Sequence, residues 1–159
     1  MSGRGWQYWA LVIFLVALYF GLHLALGLGG WVPDLLTVAV LLAARRSSAP
    51  VATAVGFTLG VLRDSLSLVA FGADAIVLTV LGYLGSRSRD LFLGDSLLFM
   101  AAYLLAGKAL HDGLYALLAG PALGSASVER LLVELPLVLY AAAAGFAALL
   151  LYRVVSGER

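Results

Sequence analysis

Apolar residues run along this chain in blocks broken by short clusters of Gly, Pro, Arg and Asp, and the blocks predict six helices. The clearest spans about 6–28 and is closed by Gly29-Gly30. A second, 33–44, opens on Pro33, which a first helical turn tolerates, and stops at Arg45-Arg46. The third covers 50–69, the fourth 74–85, and the fifth 95–119 with Asp95 as its N-cap. The sixth covers 127–155 and carries Pro136 as a kink. A helix that crosses a bilayer needs about 20 predominantly apolar residues. The second and fourth blocks would rise only about 20 Å, so they are expected to begin below the outer membrane surface, in a water-accessible dip.

Composition turns this pattern into a statement about solvent. Hydrophobic residues make up 63% of the 159 positions and charged residues 12%, about half the usual charged share of soluble proteins. Ten basic and nine acidic side chains cannot cover so apolar a globule, which excludes an ordinary soluble domain, a disordered chain and a nucleic-acid binder. The absence of Cys excludes disulfides and a cysteine zinc site. The prediction is an all-α integral membrane protein, one six-transmembrane-helix bundle. Its first block is too long for a signal-peptide core and is read as an uncleaved span.

Charge placement then sets orientation. With both termini cytoplasmic, Arg4, Arg45, Arg46, Arg87, Arg89, Arg153 and Arg159 fall on the inner side, seven of the ten basic residues. Trp6, Tyr8, Trp9, Trp31 and Tyr152 fall near the interfaces, where amphipathic rings are expected. The remaining basic residues, Arg63, Lys108 and Arg130, lie within or at the edge of membrane segments.

Ionisable groups in such segments mark function or inter-helix ties. Arg63 and Asp64 lie 13 and 14 residues into the third block, and Lys108 lies 13 into the fifth, with His111 and Asp112 one turn later. Both groups run outward and reach a similar depth. The simplest expectation pairs Arg63 or Asp64 with Asp112 or Lys108. Lys108 and Asp112 also stand at i,i+4 in the less favourable order, which leaves each free to seek a partner elsewhere. Asp34, Asp74 and Glu129 fall near the outer N-termini of the second, fourth and sixth helices, where the helix dipole stabilises a carboxylate. With Glu134, just before Leu135-Pro136, they define a polar outer dip. His23 is expected to be a packed or interfacial residue.

Small residues mark close-approach faces: Gly56 and Gly60 in the third block, Gly21 and Ala25 in the first, Ala141 and Gly145 in the sixth. Their spacing does not say whether the facing helix is internal or belongs to another protein. No HExxH, GxSxG, Walker A or dinucleotide fingerprint is present, and His111-Asp112 has no evident nucleophile. No enzyme, cofactor or metal site is expected.

Taken together, Pro33-Asp34-Leu35-Leu36, Arg45-Arg46, Gly56-Phe57-x-x-Gly60-x-x-x-Asp64-x-Leu66, the glycine turn at Gly72 and Gly82-Tyr83-Leu84 before Arg87 and Arg89 form one pattern. It resembles the MreD family of bacterial rod shape-determining proteins. The chain departs from that family at Arg63, where an apolar residue is usual, and at the turn Phe71-Gly72-Ala73-Asp74. The resemblance implies a multi-pass protein of the bacterial cytoplasmic membrane, a non-catalytic scaffold of the cell-elongation complex that builds lateral peptidoglycan. It implies an MreC-like membrane partner and, through it, an MreB-like filament, a RodA-like glycan polymerase and a penicillin-binding transpeptidase. The family is similar in fold to the S components of energy-coupling-factor transporters. The alternative is therefore an S component that binds a vitamin or other small solute in the outer dip.

Overall fold

The computed structural model describes residues 3–26, 34–66, 70–88 and 97–123. Among them the chain forms five helices and no strand: α1 (Gly3–Leu26), α2 (Leu35–Arg46), α3 (Ala49–Asp64), α4 (Ala73–Ser88) and α5 (Leu97–Leu123). The predicted helix 127–155 lies outside the described residues, and with it Glu129, Glu134, Ala141 and Gly145.

The arrangement is built around α2. Leu35 through Ala44 are all buried, because LLTVAVLLAA offers no polar face and every side is covered by another helix. It touches α1, α3, α4 and α5. Two hydroxyls add a second hydrogen bond to carbonyls near its C-terminus, tying the neighbouring helices to its backbone. Tyr8 of α1 donates to the Leu42 carbonyl at 2.6 Å, and Tyr103 of α5 donates to that of Leu41 at 3.0 Å. α1 turns Tyr8, Val12, Leu15 and Tyr19 inward at helical spacing and leaves Trp6, Ile13, Phe14 and Leu24 exposed. It is the one described helix both long and apolar enough to cross a membrane, over Trp6–Ala25 with mean hydropathy 2.0. α5 has the length, but Lys108, His111 and Asp112 interrupt its apolar run.

α3 and α4 form the closest pair, and glycine sets the distance. A Cβ on Gly56 would fall on the Leu78 carbonyl, and one on Gly82 would fall on the Ala52 carbonyl. One on Gly60 would lie 2.5 Å from the Ala75 Cα. These contacts step one turn at a time in opposite directions along the two helices, so the pair is antiparallel and backbone meets backbone. The Gly56 and Gly60 face is thus an internal seam. A Cβ on Gly21 would meet nothing within 4 Å, and Ala25 is exposed, so that face of α1 points outward.

Two boundaries differ from expectation. α3 ends at Asp64 and not near residue 69, because the Asp64 carboxylate turns to the next helix and Ser65-Leu66 form a turn. Ala70 and Gly72 then take φ of 57° and 93°, a left-handed reversal that glycine makes without strain. α4 continues past residue 85 to Ser88, since Gly85 is a contact point and not a stop: its Cβ would lie 3.1 Å from that of Ala44.

Candidate functional site: a buried charge cluster

Among the described residues, three arginines gather at one end and a mixed cluster of acids and bases at the other. At the end formed by the α2 and α4 C-termini, Arg45, Arg46 and Arg87 sit over aromatic rings. Arg46 lies 4.2 Å from the Tyr8 ring centre, Arg45 5.9 Å from Tyr103 and Arg87 5.8 Å from Tyr83. Arg45 also reaches the Met100 sulfur at 2.8 Å. Cations in the last turn of a helix are favoured by its dipole. Among the described residues, the opposite end holds four buried ionisable side chains: Asp34, Asp64, Asp74 and His111, none more than 8% exposed.

Asp34 is the hub. As N-cap of α2 it accepts from the Thr37 amide at 3.2 Å and the Thr37 hydroxyl at 2.7 Å. It also pairs with Arg63 from the end of α3 at 2.8 Å and with Lys108 of α5 at 3.0 Å. Arg63 spans the gap to α4, its Nε 3.3 Å from Asp74 Oδ2, and lies over the Tyr19 ring of α1 at 5.8 Å. Lys108 also pairs with Asp112 one turn along α5. The His111 ring lies between two acids, with Nδ1 3.0 Å from Asp112 Oδ1 and Nε2 3.4 Å from Asp74 Oδ1.

This corrects two expectations. Asp34 and Asp74 are not a separate outer dip stabilised by helix dipoles alone; they are the carboxylates that Arg63 and Lys108 find. The expected pairing of Arg63 or Asp64 with Lys108 or Asp112 is replaced by this network, and Lys108 and Asp112 do pair with each other. Asp64 serves the backbone instead. Its Oδ1 accepts from the Asp74 amide at 3.2 Å and its Oδ2 from the Ala75 amide at 2.8 Å. It caps α4 from the end of α3, satisfying two of the amides a helix N-terminus leaves open. Asp64→Ala is expected to destabilise the protein by about 1–2 kcal/mol, with Asp64→Asn between it and the wild type. Thermal unfolding of the detergent-purified chain measures this, and equal midpoints for all three would refute the capping role.

Asp34, His111 and Asp112 each offer a ligand atom, all within 4.8 Å of one another, as a divalent cation would require. The Lys108 ammonium, however, lies against both carboxylates. It already fills the position from which a metal would neutralise them. His23 stacks on Tyr19 with ring centres 6.0 Å apart.

An apolar crevice of about 170 Å³ opens between α2, α4 and α5, lined by residues that include Leu41, Leu84, Tyr103 and Leu110. It is separate from the charge cluster. No protein-family model matches the chain, and no curated protein or solved structure matches it either.

Proposed function

We propose that this chain is a six-helix protein of the bacterial cytoplasmic membrane that acts as a non-catalytic scaffold of the cell-elongation complex and holds an MreC-like partner within the bilayer. The observation that carries this reading is the convergence of the pattern between Pro33 and Arg89. Asp34 caps α2 and holds Arg63, Gly56, Gly60 and Gly82 bring α3 against α4, and Asp64 caps α4. Residues scattered from Asp34 to Gly82 in the sequence form one structural unit, as expected when a motif specifies a fold and not a reaction.

Three further features support it. Large apolar side chains such as Ile13, Phe57, Phe71 and Leu117 stand exposed on the outside, which suits lipid or a partner helix. Arg45, Arg46 and Arg87 gather at one end. Asp34 and Asp64 at the other end use both carboxylate oxygens on neighbouring side chains and amides, which favours a scaffold over a solute-binding S component.

The outward stripe Ala17-x-x-x-Gly21-x-x-x-Ala25 on α1 is the best-placed face for a partner helix, because its small residues permit close approach. Affinity purification from gently solubilised membranes is expected to recover an MreC-like protein or wall synthases. Gly21→Leu should cut that recovery several-fold while leaving folded yield unchanged. Recovery of an ATPase pair with a coupling protein would overturn the scaffold reading.

A further inference from the structure

His111 is 1% exposed, and its ring stacks parallel to that of Tyr115 at 6.1 Å. Its Nε2 and Asp74 Oδ1 are buried side-chain atoms with no hydrogen-bond partner among the described residues, and they face each other at 3.4 Å. Two such atoms left unsatisfied would be costly. A neutral imidazole cannot resolve this, because it has one N–H for two carboxylates, and its lone pair would then face an anionic oxygen.

The surrounding charges point the same way. Facing the ring are Asp34 from the start of α2, Arg63 from α3, Asp74 from α4, and Lys108 and Asp112 from α5 itself. Tyr19 of α1 lies under Arg63, and Asp64 is turned to the α4 amides. Three carboxylates therefore stand against two permanent cations, Arg63 and Lys108, and one more positive charge balances the set.

We propose that His111 is a proton-binding site that latches α5 to α4, its ring holding a hydrogen on both nitrogens, one directed at Asp112 and the other at Asp74. The bound species is a proton and not a metal, because Lys108 fills the position between Asp34 and Asp112. The inference goes beyond the scaffold reading and holds whichever partner the chain has. Releasing the proton removes the bond to α4 and turns a lone pair toward a carboxylate. An unfolded histidine loses its proton near pH ~6.5. Above that pH the folded chain binds more protons than the unfolded one, so stability must fall as the pH rises.

The chain has two histidines, so His23→Gln leaves His111 as the single imidazole signal. In lipid nanodiscs at about pH 7.5, above the usual histidine range, nitrogen NMR is expected to show both ring nitrogens protonated. The thermal midpoint of the wild type should drop by about 4 °C on going to alkaline pH, a shift that His111→Gln should lack. An unprotonated ring nitrogen at that pH, a wild-type midpoint independent of pH, or stoichiometric uptake of Zn²⁺ would each overturn the proposal.

Discussion

Asp34→Ala is expected to be the most damaging single change in the charge cluster, lowering stability by about 3–5 kcal/mol, the range seen when one partner of a buried ion pair is removed. The reason is the number of groups that depend on it. Arg63 at 2.8 Å and Lys108 at 3.0 Å both lose a counter-charge, and the Thr37 amide loses its cap. Arg63 retains Asp74 and Lys108 retains Asp112, which keeps the cost finite. Asp112→Ala removes a more exposed carboxylate, at 14%, and leaves Lys108 on Asp34, so its effect should be clearly smaller. The measurement is the thermal midpoint of each variant in detergent, with Asp34→Asn separating the cap from the charge. If Asp34→Ala and Asp112→Ala prove equal, Asp34 is not the hub.

Gly56→Ala is the second large effect. A single methyl would land on the Leu78 carbonyl, and that atom belongs to a helix backbone, not to a side chain that can rotate away. α3 and α4 must then move apart along the whole seam, which loosens the contacts at Gly60 and Gly82 as well. The expected loss is about 3 kcal/mol or more, at the upper end of overpacking costs. Gly21→Ala provides the contrast, because nothing lies within 4 Å of its Cβ position. That variant should fold as well as the wild type, or slightly better through helix propensity. Folded yield by fluorescence-detected chromatography distinguishes the two, and normal yield of Gly56→Ala would show that the seam is looser than its geometry indicates.

The five described helices were legible because an apolar block bounded by Gly, Pro or Arg needs only counting. The shared depth of Arg63, Lys108, His111 and Asp112 was also legible, since rise per residue converts position into height. Their true partners were not. Height does not fix rotation about the helix axis, and an all-round apolar helix such as α2 carries no periodic signal to say which way Asp34 faces. Rotation is decided by the glycine contacts between α3 and α4, which bring the α3 C-terminus, and with it Arg63, beside the starts of α2 and α4. A charge count offered a clue. Arg63 required acids beyond its own helix, and Asp34 and Asp74 are those nearest the expected level.

The enclosure of α2 also constrains how the protein is made. Twelve residues rise about 18 Å, and if the chain is inserted into a membrane as proposed, a segment so short that ends in Arg45-Arg46 would gain little from lipid alone. Its stability comes from neighbours, and α4 and α5 are synthesised after it. A nascent chain that stops after α3 lacks both Tyr103, which serves the Leu41 carbonyl, and Lys108, which serves Asp34. Under the proposed membrane insertion, α2 would wait with α1 and α3 until most of the protein has emerged. On that reading quality control has a simple signal, since an α2 without its later neighbours leaves Asp34 without Lys108.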